Sequence, residues 1–158
     1  EWSHNGIDSV NFEAATNLGH PVGPINKVAS GGELARLLLA LKVTLFNSNR
    51  VTTLVFDEVD AGVGGATAAA IADRLATLSQ NVQVLVVTHS PQVAARATQH
   101  FHVTKSVKTS KGLNDTVTAV SQLSSNARRE EIARMLAGAT ITDEARAAAD
   151  RLMTEITN

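Results

Sequence analysis

Two short β-prone runs, VTTLVF (51–56) and VQVLVVT (82–88), constrain this chain more than any other feature. Each is too short for a buried helix, and each stops abruptly at titratable residues: Asp57-Glu58 after the first, His89 after the second. Between them Ala68, Ile71, Leu75 and Leu78 recur on one helical face, so residues 66–79 read as a helix. Strand, helix, strand is the unit that builds a parallel pair, because parallel strands need a long crossover. Continuous apolar runs of this kind are expected to be covered on both faces. The residues that stop them then stand at the carboxyl edge of the sheet, where open α/β sheets take their ligands.

Other elements follow from the same periodicities. Residues 7–14 alternate apolar and polar, with Ile7, Val10, Phe12 and Ala14 as the apolar points, and read as a strand. The stretch NLGHPVGP (17–24) holds two Gly and two Pro and reads as a loop. From Ser30, the stripe Leu34, Leu37, Leu38, Leu41 and Leu45 marks one face of a helix running to about residue 47. Beyond the second β run the pattern predicts a short helix at about 91–98 and a strand at 100–104. A hairpin turning near Lys111–Asn114 follows, then helices over 126–137, closed by Gly138, and over 142–157. Thr142 with Asp143 and Glu144 supplies the start of the last one. The expected class is α/β, with a largely parallel sheet, helical crossovers, and a C-terminal hairpin plus helices.

Composition removes several functions. At 158 residues, 44% hydrophobic and 18% charged, the chain is one domain's worth of ordinary globular sequence. A formal net charge of −1 gives no global basic field to draw it onto nucleic acid or a membrane. Without cysteine there is no disulfide, no thiolate metal site and no Cys nucleophile, which fits a reducing, cytoplasmic setting. No apolar run approaches the ~20 residues of a membrane span, so no membrane partner is expected. Aromatics at 3% leave little to stack on bases. Lys105, Lys108, Lys111, Arg128 and Arg129 are diluted by Asp115, Glu130 and Glu131 and read as a solvated face rather than a phosphate-binding patch.

Three stretches carry chemistry. Ser30-Gly31-Gly32-Glu33 is a capping box ahead of an apolar helix, Ser30 and Glu33 serving each other's backbone amides. Its two glycines weaken a helix by roughly 1 kcal/mol each, which makes sense where a ligand approaches the backbone closely. A helix start with a hydroxyl and bare amides suits phosphate. Asp57 and Glu58, joined by Asp60, set three carboxylates at one strand end; neighbours on a strand face opposite ways, so the first two are expected to do different jobs. His89 at the next strand end can donate to a developing anion. His100 and His102 share a strand face but lack further ligand spacing, and a metal there is not expected.

Taken in order, SGGE (30–33), LVFDE (54–58), Asp60 with AGVGG (61–65), and His89 resemble the signature motif, Walker B strand, D-loop and switch histidine of ABC-type ATPase heads. The longer stretches VASGGELARLLLALKVTL (28–45), FDEVDAGVGG (56–65), VTHSPQVAARA (87–97) and REEIARMLAGATIT (129–142) narrow the likeness to bacterial SMC-like ATPases of double-strand-break repair. Val63-Gly64-Gly65 and Ser90 depart mildly from that family's usual residues. The resemblance implies a P-loop NTPase fold of ABC/SMC type, with ATP and Mg²⁺ sandwiched between two heads. It assigns Asp57 to the metal, Glu58 to the attacking water and His89 to the γ-phosphate. Ser30, Gly31, Gly32 and Glu33 would act on the partner head's nucleotide, and Asp60 across the same interface.

The sequence contains no Gly-x-x-x-x-Gly-Lys-[Ser/Thr], the loop that cradles the β- and γ-phosphates. Residues 1–158 therefore read as the C-terminal portion of a head, with residues 1–6 standing apart from it. The expected partners are a second head, the N-terminal lobe of the same protein, and DNA through the full-length molecule, in the nucleoid. Other readings are a non-catalytic dimerisation or interaction lobe, the head of another SMC-like ATPase, and a metal-dependent phosphohydrolase using Asp57, Glu58, Asp60 and His89.

Overall fold

The computed structural model describes residues 4, 6–8, 10–15, 19, 21–28, 30–45, 52–110, 113–138 and 140–154. Its centre is the predicted strand–helix–strand unit. Helix α2 (Gly31–Leu45) leads into β3 (Thr53–Asp57), α3 (Gly65–Ser79) crosses over, and β4 (Gln83–Val87) returns parallel to β3. The register runs from Thr53 opposite Gln83 to Asp57 opposite Val87. Because side chains alternate, Leu54, Phe56, Val84 and Val86 share one face. They pack with Leu39 of α2, Ile71, Ala72, Leu75 and Leu78 of α3, and Val93 of α4 (Pro91–Arg96). The α3 face is the one its periodicity predicts.

The opposite face departs from expectation. Val55, Leu85 and Val87 remain 66%, 48% and 62% exposed, so neither strand is covered on both sides. The helices packed on the pair all meet the Leu54–Phe56 face. Among the described residues the strands form one parallel and two antiparallel pairs. β3–β4 is the parallel pair; β1 (Glu13–Ala14) with β2 (Gly23–Pro24), and β5 (Phe101–Ser110) with β6 (Leu113–Gln122), are antiparallel.

Helix α2 also turns differently from its leucine stripe. Leu39 enters the core with Ala35 and Val43 beside it, whereas Leu34, Leu38 and Leu41 face outward. The helix carries two apolar stripes, and this core takes the one that includes Gly32, whose lack of a side chain admits a loop. Leu45, where the expected stripe ends, is the last residue of the helix, and 46–50 lie outside the described residues.

Near the N-terminus the alternating run 7–14 condenses to the two residues of β1, and Ile7, Val10 and Phe12 stay exposed. Alternation forms a strand only where one face has something to pack on. A four-residue helix, α1 (Ile25–Val28), follows β2 and was not anticipated. Of residues 1–6 only 4 and 6 are described.

The C-terminal third is nearer to expectation. The predicted strand 100–104 and the first hairpin arm are one continuous strand, β5, paired with β6 along all ten positions. Their connection at 111–112 lies outside the described residues. Helix α5 (Ser125–Ala137) starts where Ser124 Oγ accepts from the Ala127 amide and stops at Gly138, at φ +77°. Helix α6 (Asp143–Thr154) starts on Thr142, whose Oγ1 accepts from the Ala145 amide. Ile132 and Ala133 of α5 meet Ala145 and Ala149 of α6 and Ala95 of α4 in a second core.

Arg128 donates to the carbonyls of Ala94 and Ala95 at 3.2 and 2.7 Å, closing the end of α4. Arg129 forks onto Asp150 at 2.6 and 2.8 Å, tying α5 to α6. Two members of the basic cluster are thus structural, which removes them from a phosphate-binding patch.

Ile132 is completely buried, and its truncation to alanine is expected to cost about 2–5 kcal/mol in urea unfolding. The Arg129 fork holds the Asp150 carboxyl below its ordinary value of 3.8. That contribution is present above the unfolded-state pKa and lost as pH falls through the lower folded-state value. Asp150→Asn should therefore flatten the acid limb of the stability profile below about pH 4, as followed by circular dichroism.

Candidate functional site

At the start of α2 the capping box forms in both directions. The Ser30 amide donates to Glu33 Oε2 at 2.7 Å, and the Glu33 amide donates to Ser30 Oγ at 3.4 Å. The Ser30 amide, ahead of its hydroxyl, pulls the Glu33 carboxyl below the usual glutamate range. Of the two glycines, Gly32 has a reason within the chain. A Cβ there would lie 3.1 Å from the Ala61 carbonyl oxygen and 3.0 Å from Arg36 Nη1. Arg36 donates to that same carbonyl at 3.0 Å. The close approach expected of a ligand is, at Gly32, made by the chain's own loop. Gly31 is different: it is exposed, and a Cβ would meet nothing nearer than Glu58 Oε2, at 4.0 Å.

The acid-bearing turn is held from below. Asp57, the last residue of β3, lies on the open sheet face with Val55. Glu58 takes φ +56°, a left-handed conformation that costs a non-glycine residue roughly 1–2 kcal/mol. Two anchors hold it there: Val59 is wholly buried, and Asp60 is 1% exposed. The Ala61 amide closes the turn on the Glu58 carbonyl at 3.0 Å. Both Asp57 and Glu58 are exposed, and among the described residues neither carboxylate has a hydrogen-bond or ion-pair partner. The two acids stand in different local settings: Asp57 ends the strand, and Glu58 projects from the left-handed turn after it.

Asp60, expected to act across a dimer interface, is 1% exposed within this chain, and Thr88 Oγ1 donates to its Oδ2. Thr88 Oγ1 in turn accepts from the Ser90 amide at 2.9 Å. His89 stands exposed between these two residues. Nothing in the residue types singled out Thr88, Arg36 or Ala61. A hydroxyl beside the strand-end histidine was the available signal for Thr88.

His89 borders a groove of about 940 Å³ between β4 and β5, with Leu85, Val87, Phe101 and Val103 on its walls. His100, behind it, has its Nδ1 buried without a partner among the described residues, and burial lowers its pKa. His102 Nε2 lies 3.8 Å from Glu131 Oε1. Among the described residues no three His, Asp or Glu side chains gather closely enough to hold a metal ion by themselves. The Asp57–Glu58–Asp60–His89 phosphohydrolase cluster is therefore not formed. A metal carried in by a triphosphate is a different demand, and two unpaired carboxylates beside a 15-residue helix start fit it.

Fold and site together define a mixed α/β lobe in which the SGGE helix start, two exposed carboxylates and the histidine loop share one end. No family model matches the chain. Curated relatives do. A DNA repair protein RecN of Xylella fastidiosa (strain Temecula1) is 47% identical over 96% of this chain, and RecN of Halalkalibacterium halodurans is 46% identical over 90%. RecN of Bacillus subtilis is 44% identical over 90%. The chain spans about a quarter of the length of these relatives (24–27%). It is a RecN-family segment. A solved structure from work on ATP-driven dimerization and DNA-stimulated activation of SMC ATPases aligns with 77% of the chain and 70% of its own length, at 24% identity and a TM-score of 0.48.

The two glycines give a direct contrast. Gly32→Ala must displace the Ala61 carbonyl and is expected to destabilise the chain by about 1–3 kcal/mol in urea unfolding. Gly31→Ala has room and should cost nothing measurable.

Proposed function

We propose that this chain is the C-terminal lobe of an ATPase head that binds and hydrolyses ATP between two dimerised heads in recombinational DNA repair. The observation that carries the reading is the exit of the Glu58 and His89 loops side by side from the carboxyl end of the parallel pair, with the SGGE helix start packed on the first of them. The RecN relatives, named as DNA repair proteins, support the setting.

When bound, Mg·ATP supplies the phosphoryl group and the cation that neutralises its charge. Asp57 would hold the metal's water shell, and Glu58, without a partner among the described residues, would orient the attacking water and take its proton. His89 would donate to a γ-phosphate oxygen. The Ser30 hydroxyl and the Gly32 amide would cap the γ-phosphate held by the partner head, where a helix start favours negative charge. Fixed donors of this sort stabilise charge on the transferring group.

The bare Val55–Leu85–Val87 face and the groove beside it support the N-terminal lobe of the same protein as a partner. So does the length of the relatives, roughly four times that of this chain. Association of DNA with the full-length protein belongs to the same proposal. Among the described residues no helix is long and apolar enough to cross a membrane.

In the full-length protein, Glu58→Gln should keep ATP binding and head dimerisation while turnover falls by about 10²–10⁴; unchanged turnover would remove Glu58 from the base role. Ser30→Arg should leave single-head binding intact and abolish nucleotide-dependent dimerisation, read by light scattering. Dimers that persist would remove the trans role of the helix start.

A further inference from the structure

Asp60 and Thr88 sit on different loops, one following each strand of the parallel pair, and their side chains join them directly. Asp60 is 1% exposed, and its second oxygen, Oδ1, is buried with no partner among the described residues. A buried carboxyl with half its acceptor capacity idle is an expensive way to hold two loops together. A valine or leucine would pack there at less cost. What the carboxyl does that an apolar side chain cannot is orient Thr88. Thr88 then spends its own acceptor capacity on the Ser90 amide at 2.9 Å, and Ser90 O receives the Ala94 amide at 3.0 Å to start α4. The residue bracketed by this pair of bonds is His89.

On the other side, Asp60 is one residue from Ala61, whose carbonyl holds Arg36 and closes on Gly32. Two residues back, Glu58 keeps its left-handed turn because Val59 and Asp60 are both anchored.

We infer that Asp60 is a positioning residue that fixes His89 relative to Glu58 through Thr88, rather than a group that itself meets nucleotide. The inference rests on the ATPase reading above and adds to it a physical tie between base and γ-phosphate donor. Such a tie matters because a displacement of about 1 Å in a catalytic group costs of the order of a hundredfold in rate.

The test is turnover kinetics of the full-length protein carrying Thr88→Ser, Thr88→Val, Asp60→Asn and His89→Ala, with Thr88→Val/His89→Ala as the closing double variant. Thr88→Ser keeps the donor, and Asp60→Asn keeps an acceptor for it while altering only the idle position, so both should hold kcat within about threefold. Thr88→Val should lower kcat about ten- to a hundredfold with KM for ATP nearly unchanged. In the His89→Ala background the valine should add almost nothing, because its effect runs through the histidine. Thr88→Cys, a weaker donor of similar size, should fall between and serves if the valine variant does not fold. A full additional loss from Thr88→Val on top of His89→Ala would overturn the positioning role and leave the ATPase reading standing. So would a kcat that the valine leaves intact. Unaltered turnover in His89→Ala alone would refute the histidine's role in the ATPase reading and the inference with it.

Discussion

Parallel pairing of β3 with β4 is the constraint on which the rest depends. Once Asp57 stands opposite Val87, the two loops that follow must leave the sheet side by side, carrying Glu58 on one and His89 on the other. Every other contact at this end refines that placement. Val59 and Asp60 pin the first loop, Thr88 and Ser90 pin the second, and the Asp60–Thr88 bond joins them. Helix α2 supplies the third component because its start lies against Ala61 through a glycine and an arginine. The left-handed Glu58 is the local cost of this arrangement, and backbone strain of that kind collects at functional sites.

The features set by local chemistry were the most legible in the sequence. The α3 face, the capping box at Ser30 and Glu33, the Gly138 stop and the Thr142 start all follow from local chemistry, and each is found. Pattern failed where burial depends on what lies outside the stretch being read. The apolar runs 51–56 and 82–88 predict cover on two sides, and the structure provides it on one. The Leu34–Leu38–Leu41 stripe likewise faces outward while Leu39 goes in. Both misreadings have one physical origin. Periodicity reports which faces are apolar, and not which segment of polypeptide covers each of them.

At the candidate site the residue types were legible, and the settings of Asp60 and Gly32 were not. Asp60, an acid in a loop of acids, gives no sign that it is buried on a threonine 28 positions later. The glycine pair looks uniform, yet Gly32 accommodates the chain itself and Gly31 stays open. Such distinctions come from long-range packing. The basic cluster shows the same thing in reverse, with Arg128 and Arg129 consumed by carbonyls and a carboxylate inside the fold.

The central claim is that this lobe carries the chemistry of a nucleotide site while the main phosphate grip belongs to a segment outside it. The most direct measurement is equilibrium binding of Mg·ATP by titration calorimetry, to this chain alone and to the chain rejoined with the N-terminal part of its own protein. No heat at millimolar nucleotide for the chain alone, with binding restored on rejoining, is the expected result. Micromolar binding by the isolated chain would contradict the account, since it would require a self-sufficient phosphate grip among residues assigned here to catalysis and packing.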